Sequence, residues 1–249
     1  MQDKENVAIN AEIKLQGTKL NKTPTKYYAV AMVKNTGQEN GPGHVSVALV
    51  EKKSTTTKSE VAHSSFYPGP LGSIINGCSL GSVPVLGQMA TDHSADLAEA
   101  DSVWVRELSP EAYTKGRRAQ TLYHSDVENG RRLYSVFGRA NPLASGASRL
   151  LSAYQSAVKT NEQHKKSNGD YSYPPEDHCG IPVFANEVHA TPEIIKPDNC
   201  ASSVTHILKA TGMNLKNPQV PSFFSEELDK NGFKSVSKET LKDEFKLYI

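Results

Sequence analysis

Two runs of strand-forming residues, Tyr27 to Val33 (YYAVAMV) and His44 to Val50 (HVSVALV), flank a glycine- and proline-rich turn from Gly37 to Gly43. No other feature of the sequence limits the fold as strongly. Apolar, β-branched and aromatic residues at this density favour extended backbone. In the second run Val45, Val47 and Leu49 share one face and His44, Ser46 and Ala48 the other, the period of two of an amphipathic strand. The Lys/Thr/Ser segment 52–59 reads as a hairpin loop that returns into a third strand over Val61 to Tyr67. The expectation is a small antiparallel meander, to which Ser102 to Leu108 (SVWVREL) adds a further alternating strand.

The second half reads as helical. Ser109-Pro110-Glu111 combines an N-cap hydroxyl, a first-turn proline and an early acid. Leu143 to Val158 carries apolar residues at helical spacing and is expected to be a core helix, not a partner surface. Val204, Ile207 and Leu208 stand at i, i+3 and i+4, which predicts a helix beginning at or near Cys200 and ending before Gly212. Ser222 and Ser237 open two short terminal helices. The Gly/Pro/Ser-rich stretch 68–90 is expected to be irregular, and 161–177 a loop. Residues 1–24 are expected to form a flexible polar arm, and 25–249 one α+β domain with strands mostly early and helices mostly late.

Composition removes several classes of function. Of 249 residues, 37% are hydrophobic and 22% charged, which suits a packed core. Lys+Arg 28 against Asp+Glu 27 leaves +1, so no global field draws the chain to nucleic acid. No apolar run approaches the roughly 18 residues of a membrane span, and MQDKENVAINAEIK lacks the apolar core of a secretory signal. The three cysteines, Cys78, Cys179 and Cys200, include no CxxC and make no disulfide framework. No phosphate loop, dinucleotide fingerprint or GxSxG elbow occurs. Asp177-His178-Cys179 lacks a second ligand pair, so no zinc site is expected. His189 and Glu193 have Pro192 between them and do not share one helix face.

Cys200 is the residue with chemical promise. In the first turn of a helix its thiolate gains from the free N–H groups and the positive end of the dipole. The same N–H groups can bind the oxyanion of an acyl-transfer intermediate. A thiol nucleophile needs a base from another element, oriented by a third group. His44 is the first candidate, because it opens a strand directly after Gly43. His63 is an alternative whose exposure the alternation does not decide. His206 lies six residues along Cys200's own helix and points elsewhere, and His164 falls in the polar loop.

Four motifs occur in order: Gly43-His44-Val-Ser-Val-Ala-Leu, Ser64-Ser-Phe-Tyr-Pro-Gly69, Asp96-Leu-Ala-Glu99, and Asn199-Cys200-Ala-Ser-Ser-Val-Thr-His-Ile-Leu. This order resembles the circularly permuted papain-like (NlpC/P60-like) cysteine enzymes of bacterial toxins and effectors. Within them it is most similar to the Rho-inactivation domain of multifunctional autoprocessing toxins and to the type III effector IcsB. The motifs span about 44 to 212, and the segment 109–198 carries none of them.

The resemblance implies a permuted papain-like α+β fold with His44 as base, Cys200 as nucleophile and Asp96 as the orienting acid. Asp96 matches the family's D-L-x-x-E spacing with Leu97 and Glu99, whereas Asp101 and Asp92 are the rival acids. It further implies a lysine Nε-fatty acyltransferase acting on host proteins such as a small GTPase. No bound cofactor is implied, and acyl-CoA is a candidate co-substrate. Delivery into a host cell without a classical signal peptide, and peripheral membrane contact, belong to the same expectation. A papain-like protease or amidase, and a non-catalytic host-binding module on the same scaffold, are the alternatives.

Overall fold

The computed structural model describes residues 25–38, 41–54, 58–79, 81–168, 195–218 and 220–245. The polar arm expected over 1–24 lies outside them. Strands β1 (Thr25–Lys34), β2 (His44–Lys53) and β3 (Glu60–Tyr67) form the expected antiparallel meander. Strand β6 (Ser102–Leu108) pairs with the other edge of β1. With β5 (Gln88–Ala90) and β9 (Lys234–Val236) at the ends, the antiparallel sheet runs β5-β3-β2-β1-β6-β9. The fold is α+β.

Both faces of the central strands are covered, so β1 reads as a continuous apolar run instead of an alternating one. Ala29, Ala31 and Val33 join Val45, Val47 and Leu49 under helix α5 (Cys200–Ala210) and helix α6 (Phe224–Lys230). Tyr28, Val30 and Met32 face the other way, against Leu97 of helix α2 (Ser94–Glu99) and Leu241 of helix α7 (Lys238–Asp243). Strand β2 is therefore not amphipathic: the His44/Ser46/Ala48 face that the alternation left polar lies within the protein.

Helix α3 (Pro110–Glu128) begins as its signature predicts, with the Ser109 side chain accepting from the Ala112 N–H. Past it, β7 (Arg132–Tyr134) sits between β4 (Val85–Leu86) and β8 (Lys196–Asp198) in a second, three-stranded sheet, with β7 and β8 parallel. Ser237 caps α7 as expected, but Ser222 caps nothing. It lies in a short 3-10 turn, where its hydroxyl accepts from the Thr36 N–H, and α6 starts two residues later.

Three other expectations are corrected. Residues 68–90 are not irregular: helix α1 (Gly69–Cys78) fills the first part, followed by β4 and β5. This helix buries Gly69, Gly72 and Asn76 and turns Leu71, Ile74 and Ile75 outward, so the usual apolar face is inverted. Helix α4 (Pro142–Asn168) continues through the start of the predicted loop; residues 169–177 lie outside the described ones. Among the positions whose burial is described, it is not a core helix either. Ala144 and Ser148 are buried, whereas Leu143, Leu150 and Tyr154 are exposed.

Candidate active site

Strand β8 delivers the chain to the nucleophile, and a buried charge network fixes that strand. Arg132 Nη1 donates to Asp198 Oδ2 at 2.5 Å, and its Nε and Nη2 donate to Asp126 Oδ2 at 3.1 and 2.7 Å. The guanidinium also lies over the Tyr123 ring, 4.5 Å from its centroid. The arginine and Asp198 side chains are each only 5% exposed, so both charges depend on this pairing. The next residue, Asn199, caps α5. Its Oδ1 accepts from the Ser202 N–H and the Ser202 hydroxyl accepts from the Asn199 N–H, both at 2.8 Å. This reciprocal box starts the helix at Cys200 and leaves its first N–H groups free of helical partners.

His44 comes from the opposite side of the cleft. The β2–β3 ladder ends at Val47 and Ser64, and from Ser65 onward β3 pairs with β5 instead. The first residues of β2 therefore have no β3 partner, and α5 meets them there, with the Cys200 thiol beside the His44 imidazole and the Val45 and Ala201 backbones. Gly43 lets the turn into β2 lie close against the end of β1. Its φ is +70°, and a Cβ there would stand 2.7 Å from the Lys34 carbonyl oxygen and the Thr36 nitrogen.

On the other side of the ring, His44 Nε2 lies 2.7 Å from Ser65 Oγ and 3.9 Å from Asp96 Oδ2. With Nε2 so engaged, Nδ1 is the nitrogen left for the thiol. Asp96, in α2, gives its Oδ2 to His63 Nε2 at 2.8 Å. Tyr134 completes the inner wall. Its pairing with Asp198 in the β7–β8 ladder sets it beside the nucleophile, on the same cleft as Cys200.

These contacts favour charge separation. Burial pushes the Cys200 thiol up, but the hydrogen bond and positive charge of His44, with the Val45 and Ala201 N–H groups, bring it below its ordinary value. Burial likewise opposes protonation of His44, yet the hydrogen bond and charge of Cys200, then Asp96 and Glu99, raise it. Burial would raise the Asp96 carboxyl too; the His63 hydrogen bond and the charge of His44 instead lower it to about 2. Burial and the neighbouring thiolate keep Tyr134 protonated and able to donate.

Cys200, His44 and Tyr134 open on a cleft of ≈ 770 Å³, walled by Tyr67, Pro68, Val136, Phe137, Val220 and Pro221 among others. A smaller hollow of ≈ 300 Å³ lies on the Asp96 side of His44 and is lined by Ser46, Ser65, Lys34 and Glu99.

Of the residues singled out in the sequence, His44, Asp96 and Cys200 come together. The rival acids do not join them: Asp92 accepts from Ser94, and Asp101 accepts from the Asn35 N–H at 2.7 Å. His206 lines a separate polar hollow with Lys209. His164 is in α4 and not in a loop. Asp177, His178, Cys179, His189 and Glu193 lie outside the described residues, among which no group of three metal-ligating side chains occurs. Among the described residues, no helix is long and apolar enough to cross a membrane.

Ser65, Tyr134 and the Arg132–Asp198 pair carried no catalytic signal in the sequence. Alternation from His63 could have placed Ser65 on the histidine face; Tyr134, in a three-residue strand, had no such pattern. The chain matches no protein-family model, no curated protein and no solved structure.

Proposed function

We propose that this protein is a thiol acyl-transfer enzyme, with Cys200 as nucleophile, His44 as its base, and Asp96 and Ser65 orienting the imidazole. The observation that carries the reading is the juxtaposition of Cys200, at a helix N-terminus, with His44 on one open cleft. The thiolate attacks an acyl carbonyl. The N–H groups of the first turn and the Tyr134 hydroxyl are the donors available for the oxyanion. Collapse of the tetrahedral intermediate expels the leaving group, which takes its proton from the His44 imidazolium, and leaves an S-acyl Cys200. An incoming amine then attacks the thioester, His44 accepts its proton, and the thiolate is regenerated.

The cleft presents largely apolar surface, with Tyr67, Pro68, Val136, Phe137, Val220 and Pro221 among its walls, which favours an acyl chain over a polar peptide as its occupant. This supports a lysine Nε-fatty acyltransferase with acyl-CoA as donor. A host protein such as a small GTPase, reached by delivery into a host cell and met at its membrane surface, is the acceptor that the sequence resemblance implies. A circularly permuted papain-like arrangement accommodates the order found here, with the histidine strand preceding the cysteine helix and the acid between them in sequence.

Incubation with palmitoyl-CoA and a candidate GTPase, followed by peptide mass spectrometry, tests the reading. It predicts an acyl mass on Cys200 and, at turnover, on acceptor lysines, both absent in Cys200→Ser. New chain termini in place of lysine adducts would make the enzyme a protease.

A further inference from the structure

We infer that His63 is a positioning residue of this site, holding the Asp96 carboxylate so that its full negative charge serves His44. The inference rests on the Cys200–His44 reading. One carboxylate oxygen, Asp96 Oδ2, lies 2.8 Å from His63 Nε2 and 3.9 Å from His44 Nε2. The two histidines are not equivalent. The His63 side chain is 0% exposed, whereas that of His44 is 23% exposed and faces the cleft.

An ionised carboxylate can only accept, so His63 Nε2 must carry the proton of the 2.8 Å bond. Its other nitrogen, Nδ1, is buried without a hydrogen-bond partner. Protonating Nδ1 as well would bury an N–H with no acceptor, which is costly, so the geometry favours the neutral Nε2–H tautomer. That choice has a consequence for His44. A cationic His63 would neutralise Asp96, whereas a neutral donor fixes the carboxylate in place and leaves its charge to stabilise the imidazolium. Loss of the His63 donor should therefore weaken the His44 imidazolium and, through it, raise the Cys200 thiol.

The groups that face His63 come from three elements. Asp96 and His93 of the α2 segment stand on one side, the His93 ring 6.3 Å away between centroids, with Asp92 close by. His124 approaches from α3, and His44 from β2. None of the others bonds the oxygen that both histidines share.

The test compares His63→Gln, whose amide nitrogen reaches the place of Nε2, with His63→Asn, which is too short, and with the apolar His63→Leu. The readout is the pH dependence of iodoacetamide alkylation at Cys200, mapped by peptide, alongside the melting temperature. The Gln variant should keep the wild-type profile. In the Asn and Leu variants the acid limb should move up by about one unit, which slows alkylation about tenfold at pH 6.5. A wild-type profile in a folded Asn or Leu variant, or an equal shift in all three, would overturn the inference. If wild-type Cys200 itself alkylates as an ordinary thiol, the underlying Cys200–His44 reading fails instead.

Discussion

Ser65 Oγ lies 2.7 Å from His44 Nε2, nearer than the 3.9 Å that separates the same nitrogen from Asp96. The direct partner of the imidazole is thus a serine on the neighbouring strand, and the acid stands behind it. A hydrogen bond to a charged group is worth about 1.5–3 kcal/mol net, and the Asp96 carboxylate is close enough to take over part of its role. Ser65→Ala should therefore slow acylation about tenfold or less. Asp96→Asn should cost more, up to about 10⁴-fold as in related triads. Pre-steady-state acylation rates for the two variants check this order; the reverse order would make Ser65 the principal orienter.

Asp96 also sets an acid limit to stability. Its native carboxyl lies near 2, below the value of about 4 in an unfolded chain. A lowered carboxyl contributes stability that is present above pH 4 and is lost as pH falls toward 2. The contribution is on the order of 2 kcal/mol. Urea unfolding of wild type and Asp96→Asn should differ most above pH 4 and converge near pH 2. A difference that stays constant over that range would show that the carboxylate is not the source.

Removing the Arg132 guanidinium takes from the almost wholly buried Asp198 the cation it pairs with at 2.5 Å, while Asp126 keeps Arg131 at 3.7 Å. Breaking a buried ion pair from one side costs about 3–5 kcal/mol. Arg132→Met should lower the melting temperature sharply, and it should also slow Cys200 alkylation, because β8 and the Asn199 cap hang on this pair. Denaturation followed by circular dichroism measures the first effect and peptide-mapped alkylation the second. An unchanged melting temperature would mean that the cysteine helix is held by other contacts.

Gly43→Ala tests the turn that presents His44. The positive φ and the 2.7 Å approach to the Lys34 carbonyl leave no room for a Cβ. Strain of about 1–3 kcal/mol is expected, with a loss of acylation rate beyond what reduced stability explains. Rates measured well below the melting temperature separate the two effects. Full activity there would show that the turn does not hold the base.

Local sequence patterns revealed the meander and the helix starts because the signals were themselves local. YYAVAMV, the Ser109-Pro110-Glu111 cap and the Val204/Ile207/Leu208 stripe each name an element without reference to the rest of the chain. Cys200 and His44 were legible for the same reason, as a thiol at a helix start and a histidine after a glycine. Helix α1 was hidden because its buried positions are glycines and its large apolar residues face outward, the inverse of the pattern that is searched for. Helix α4 misled in the opposite way: its apolar spacing signals a core that only Ala144 and Ser148 enter among the described positions. Ser65, Tyr134 and His63 acquire their places through strand pairing and tertiary approach, which no run of neighbouring residues encodes.

The central claim is that His44 makes Cys200 a thiolate, and the competition between Cys200 and the exposed Cys78 for iodoacetamide tests it most directly. Burial alone would make Cys200 the slower thiol. At pH 6.5, wild-type Cys200 should nevertheless label first, with an acid limb well below the ordinary cysteine value of about 8.5. In His44→Ala that limb should return to 8.5 or above, and Cys200 should fall behind Cys78. A wild-type Cys200 that lags Cys78 at pH 6.5, with a profile unchanged by His44→Ala, would contradict the account.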